Sequence, residues 1–275
     1  MPGWHHGKSG VSEEIMKVVI LAGGKGTRIS EETNVRPKPM IEIGGKPIIW
    51  HIMKIYSMYG YYEFVVCCGY KGRIIKDYFT RYYCYQSNAV IDLCNGKMEN
   101  ISTYVEPWRI TLADTGEETL TAGRILKIRE YLGQDEEFML TYGDGVGDIN
   151  LNELLAFHRK HGRIVTISTT QPDGRFGALK LDEEGMIHGF KEKARKDQSW
   201  INIGYMVLNK KVFDYLEDGE EMLEAGPFER LAEAGQMAAY RHKGFWSPMD
   251  TIHDKEYLEK LWEQNRAPWK KWKEE

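Results

Sequence analysis

Apolar residues fall into two patterns along the chain. Val18 to Ala22 is continuously apolar and closed by Gly23-Gly24, as expected of a strand buried on both faces of a parallel sheet. Phe64 to Cys68, ending at Gly69, and Phe138 to Tyr142, stopped by Gly143-Asp144-Gly145, repeat that pattern. Ile164 to Thr170 and Ile203 to Leu208 read as later strands. Between them the period changes to that of a helix. Ile48, Ile49, Ile52, Met53, Ile55 and Tyr56 mark a helix over 47–59, and Ile74, Ile75, Tyr78, Phe79 and Tyr82 another over 72–83. Leu151 to His161 and Asp250 to Gln264 read as two more. Strand and helix alternate from the start, which predicts one α/β domain with a mostly parallel sheet flanked by helices. The C-terminal third reads as less regular.

Composition narrows the class. The chain has 275 residues, 42% of them hydrophobic, enough for a sizeable core without disulfides or metal staples. Its 37 Lys and Arg against 41 Asp and Glu leave a net charge of −4. A nucleic-acid polymer is therefore excluded as partner. No apolar run approaches the ~20 residues that cross a bilayer, so no membrane partner is expected. Cys67, Cys68, Cys84 and Cys94 match neither a zinc spacing nor a disulfide framework and read as reduced, buried thiols in a cytoplasmic protein. The first fifteen residues carry no signal-peptide core and read as an extension before a domain spanning 16–275.

The candidate chemistry begins at Leu21-Ala22-Gly23-Gly24-Lys25-Gly26-Thr27-Arg28, directly after the first strand. Ligands of open α/β sheets bind at the carboxyl ends of strands. Three glycines in four residues let backbone N–H groups approach an anion with no Cβ in the way. Arg28, and Lys38 ten residues on, could close on a phosphate from the side. Basic residues outnumber acidic ones from Lys17 to Lys54, in an otherwise acidic chain. The alternative is a turn whose glycines serve only backbone geometry. Neither Gly-x-Gly-x-x-Gly nor Gly-x-x-x-x-Gly-Lys-Ser/Thr is present, so the familiar dinucleotide and P-loop fingerprints are set aside.

Together with Arg36-Pro37-Lys38-Pro39-Met40 and Gly44-Gly45-Lys46-Pro47, that loop resembles the opening signature of the sugar-1-phosphate nucleotidyltransferases. Val105-Glu106-Pro107-Trp108, Tyr142-Gly143-Asp144-Gly145, Gly174-Arg175-Phe176-Gly177 and Gly244-Phe245-Trp246-Ser247-Pro248-Met249-Asp250-Thr251 resemble the branch of that family that uses CTP and glucose 1-phosphate. The resemblance runs from Met16 almost to the C-terminus. It implies a Rossmann-like sheet of the nucleotide-diphospho-sugar transferase type, CTP and a sugar 1-phosphate as partners, Mg²⁺ as cofactor and a homo-oligomer.

Site roles follow from the resemblance. Asp144 and Asp250 match the family's Mg²⁺ ligands; read alone, they would be a turn aspartate and a helix cap. Leu21, Ala22, Gly23, Gly24, Gly26, Thr27, Arg28, Lys38 and Gly143 are expected around the nucleotide, with Arg28, Lys38 and Asp144 serving the chemistry. Thr119 and Arg124 match a nucleotide-binding segment, although Arg124 could equally be a solvated arginine at a helix start. Gly177, Lys193 and Asn202 match the sugar-phosphate pocket. Two positions depart from the pattern: Ala194 stands where proline is usual, and Ile203 where glycine is. The isoleucine either narrows the sugar pocket or points into the core. These departures leave open a relative using another base or sugar; an inactive sugar-nucleotide-binding regulator is a further alternative.

Overall fold

The computed structural model describes residues 16–103, 105–171, 178–182, 184–191, 200–217 and 219–273. The main elements in chain order are β1 (Val18–Leu21), α1 (Ile48–Ser57), β2 (Glu63–Cys68), α2 (Gly72–Tyr85), β3 (Arg109–Asp114), α3 (Thr121–Lys127) and β4 (Glu137–Tyr142). They are followed by α4 (Leu151–His161), β5 (Val165–Thr170), β6 (Ile201–Asn209), α5 (Pro227–Glu233), β7 (Met237–Arg241) and α6 (Ile252–Glu263). The seven strands form one sheet in the order β7-β5-β6-β4-β1-β2-β3. All run parallel except β6, which is antiparallel to β4 and β5.

Alternation within β1 explains why its run is apolar throughout. Val18 and Ile20 enter a core on one face with α1, α2, α4 and α6, while Val19 and Leu21 enter a second core with α3 and α5. A strand covered on both faces has no polar side to show. Truncating Ile20, fully buried, to Ala would cost about 2–5 kcal/mol. The two sheet strands missing from the sequence reading, β3 and β7, are the edges. Each has one neighbouring strand in the sheet, β7 gaining only an isolated bridge from Met186 to Ala238, and neither carries a long branched run.

Several expectations change on contact with the fold. Cys67 and Cys68 are buried in β2, and burial pushes their thiols up to about 12 and about 11. Cys84 and Cys94 are exposed, contrary to the reading of all four as buried. His158 and His161 of α4 both face β5. His158 is buried, and both rings bond the Thr166 hydroxyl, at 2.8 and 2.7 Å. The C-terminal tail packs on the body through Trp262, Trp269 and Trp272, whose rings surround His51 of α1. Ile203 is 3% exposed and belongs to the core beside β1, so it does not narrow a pocket.

Candidate active site

The sheet order reverses at β1, with β2 and β3 added on one side and β4 and β6 on the other. Loops leaving β1 and β4 must separate there, and a crevice opens at their carboxyl ends. That crevice, a cleft of about 540 Å³, is lined by Leu21, Ala22, Gly23, Gly24, Gly26, Thr27, Arg28, Lys38, Thr119, Arg124, Gly143, Asp144, Asn202 and Asp250. Those candidates from the sequence therefore share one cleft. Gly177 and Lys193 lie outside the described residues.

The glycine loop is held from beneath. Arg124 is 4% exposed, and its guanidinium donates to Thr115 Oγ1 (2.6 Å) and to the carbonyls of Gly116 (2.8 Å), Gly23 (3.1 Å) and Glu117 (3.2 Å). Gly23 also accepts from the Tyr70 N–H at 3.1 Å. A Cβ on Gly23 would fall on this guanidinium, which is the physical reason for glycine at that position. Gly26 has φ +61°, a left-handed conformation that suits glycine. Arg124 is thus not a solvated arginine: its guanidinium ties the loops after β1 and β3 together and reaches the Cys68 carbonyl at the end of β2 at 3.5 Å.

The carboxylates come from distant parts of the sequence. Asp144 follows β4, and Asp250 lies just before α6. A short ribbon joins them: Gly145–Gly147 pairs antiparallel with Trp246–Pro248, and the Met249 N–H donates to the Asp144 carbonyl at 2.8 Å. Asp250 does not cap the helix. Thr251 does, in a capping box with Asp254, and this leaves the Asp250 carboxylate free for the cleft. Lys38 then meets both acids. Its Nζ donates to Asp144 Oδ2 at 2.6 Å and also to Asp250 Oδ1. Arg28, open to solvent at the rim, donates to Asp250 Oδ2 at 2.6 Å. Burial opposes the charge on Lys38, which is 9% exposed, but Asp144 and Asp250 outweigh it and raise its pKa.

This arrangement tests the fit of a divalent metal. Two carboxylates converge closely enough to hold one cation, here the Lys38 ammonium. No group of three or more His, Cys, Asp or Glu placed to hold a metal occurs among the described residues. Two carboxylates suit Mg²⁺, which keeps several waters and is completed by substrate phosphates.

Sequence reasoning missed Thr121, Tyr142 and Glu224, which also line the cleft. Tyr142 stands two residues before Asp144, a position that the flanking glycines already marked. Nothing periodic or glycine-flanked singles out Glu224.

An anion-facing glycine loop, two cations and paired carboxylates at the switch point of an open sheet suit the handling of nucleotide phosphates. The chain belongs to the nucleotidyl transferase family, whose model matches residues 17–261. It is 49% identical over 257 residues to the glucose-1-phosphate cytidylyltransferase of Salmonella typhi, covering 94% of this chain and 100% of that protein. A Bacillus subtilis protein named probable glucose-1-phosphate cytidylyltransferase is 47% identical over 258 residues, covering 94% and 100%. The crystal structure of HddC from Yersinia pseudotuberculosis shares the fold at a TM-score of 0.71 and 22% identity, covering 90% of this chain and 99% of that one.

Proposed function

We propose that the protein transfers the cytidylyl group of CTP to α-D-glucose 1-phosphate, giving CDP-glucose and pyrophosphate. The observation that carries the transfer chemistry is the meeting of Lys38, Arg28, Asp144 and Asp250 beside the glycine loop. The choice of CTP and glucose 1-phosphate follows from relatives that match at nearly half identity over their full length.

A sugar phosphate is largely dianionic at neutral pH, since the second pKa of a phosphomonoester is about 6. Its oxygen attacks the α-phosphorus of CTP without a general base, and pyrophosphate leaves. Bringing two anions together and stabilising the charge that develops in line are the remaining tasks. The loop from Gly23 to Thr27 cradles the triphosphate, with Leu21, Ala22, Gly143 and Thr119 around the nucleoside. Arg28 closes over the phosphates from the rim. Lys38 faces the α-phosphate and the leaving group, and its raised pKa keeps it charged. Asp144 and Asp250 would hold Mg²⁺, which would supply charge neutralisation and orientation of the nucleotide phosphates. Asn202 borders the sugar; the resemblance gives the same role to Gly177 and Lys193, which lie outside the described residues.

The same reading places the enzyme in the cytoplasm as a homo-oligomer, and the surface offers a place for contact. The hairpin of Ser87–Asp92 and Lys97–Thr103 exposes Val90, Ile91, Met98 and Ile101, with Leu93 at its turn. No helix among the described residues is long and apolar enough to cross a membrane.

The test is pyrophosphate release with Mg²⁺, glucose 1-phosphate and each nucleoside triphosphate in turn. Turnover with CTP alone is expected. Preference for another nucleotide, or no turnover with any, overturns the reading.

A further inference from the structure

Three carboxylates line the cleft: Asp144, Asp250 and Glu224. The first two meet Lys38, and Asp250 also meets Arg28. Glu224 differs. Its Oε1 accepts from the Tyr142 hydroxyl and its Oε2 from Thr121 Oγ1 at 3.3 Å. The Thr121 hydroxyl has its own acceptor capacity engaged from behind by the Leu223 N–H, which donates to Oγ1 at 2.7 Å. Asn202, which also lines the cleft, is pinned, its Oδ1 accepting from the Gly204 N–H at 2.8 Å. Glu224 accepts from the Tyr142 and Thr121 hydroxyls. An ionised carboxylate has about four lone-pair directions, of which two are used. The others call for a neutral donor, since a phosphate offers none and would be repelled.

Where that donor sits follows from the sheet order. The loops after β1 and β3, which Arg124 ties together, lie on one side of the switch point with β2 between them. Tyr142 ends β4 and Asn202 lies near the start of β6, both on the other side, and Glu224 reaches from Thr121 at the start of α3 across to Tyr142 on that side. We propose that Glu224, held by Tyr142 and Thr121, accepts hydrogen bonds from the hydroxyl groups of the sugar 1-phosphate and so determines which sugar is used. This inference rests on the transfer reaction proposed above and adds to it a specificity residue.

The test compares glucose 1-phosphate with its 2-, 3-, 4- and 6-deoxy analogues at saturating CTP, for the wild type and Glu224→Gln. A hydrogen bond to a charged acceptor is lost with the hydroxyl, so the wild type should lose about 10- to 100-fold in kcat/KM for at least one analogue. In Glu224→Gln that discrimination should fall to about threefold or less, with the KM for CTP changed less than about twofold. A merely structural role would lower activity on all five sugars alike. Tyr142→Phe, which leaves the carboxylate but frees it to swing, should lose part of the same discrimination, and it carries the test if the glutamine variant does not fold. Unchanged discrimination in these variants, no discrimination by the wild type, or a loss falling on CTP instead overturns the assignment while leaving the reaction standing. Failure of the wild type to turn over any sugar 1-phosphate overturns both.

Discussion

The ammonium of Lys38 lies 2.6 Å from Oδ2 of Asp144 and in the same position bonds Asp250. One side-chain cation thus occupies the point on which the two proposed metal ligands converge. Among the described residues, replacing it by Met leaves Asp144 with no cation and Asp250 with Arg28 alone. In the absence of divalent ions, Lys38→Met should lose about 1–3 kcal/mol of stability, the range for breaking a partly buried ion pair. Adding Mg²⁺ should then raise its melting temperature more than that of the wild type, because the ion no longer competes with the lysine. Equal shifts in the two proteins would contradict a shared position.

Two neighbouring glycines should behave differently. A Cβ on Gly23 meets the Arg124 guanidinium, whereas one on Gly24 meets nothing within 4 Å. Gly23→Ala is expected to destabilise the fold and abolish CTP binding together. Gly24→Ala should melt like the wild type and still bind CTP about tenfold or more weakly, because its methyl enters the space given to phosphate. Calorimetric titration with CTP, alongside thermal melting, separates the two effects.

Arg124 holds the loops after β1 and β3 through the carbonyls of Gly23, Gly116 and Glu117. Arg124→Met should cost about 3–5 kcal/mol, as for removing a buried, hydrogen-bonded charge. Arg124→Lys should rescue little, since an ammonium cannot span the fork. Near-normal stability in the lysine variant, with only CTP binding lost, would show instead that the arginine faces the nucleotide.

Acid should weaken the fold through buried histidines. Burial pushes His51 down to about 4 and His161 likewise to about 4. An unfolded histidine titrates near 6.5, so the unfolded chain takes up the proton first as the pH falls. Stability present above pH 6.5 is therefore lost as the pH drops toward 4, by about 3 kcal/mol for the fully buried His51. Melting temperature measured across that range should fall in the wild type and fall less in His51→Gln.

The sequence displayed those parts of the fold whose environment is uniform. Strands β1, β2 and β4 are covered on both faces and read as unbroken apolar runs. Edge strands β3 and β7 have one neighbour each, and RITLAD and MAAYR carry no such run. The glycine loop and Asp144 were legible because glycines flank them. Asp250 required a ribbon of three residues per strand to reach Asp144, too short to leave a period. Arg124 was ambiguous because sequence does not record whether a charge is buried. Glu224 depends on hydroxyls of Thr121 and Tyr142, 103 and 82 residues away; only the fold brings them together.

The central claim is that Asp144 belongs to a metal-assisted cytidylyl transfer site. The most direct measurement is pyrophosphate release from CTP and glucose 1-phosphate with Mg²⁺, run side by side on the wild type and Asp144→Ala, with folding checked by melting. Removing a ligand that fixes the metal forfeits several kcal/mol of transition-state stabilisation, so turnover should fall roughly a thousandfold in a folded variant. Near-normal pyrophosphate release from folded Asp144→Ala would contradict the account.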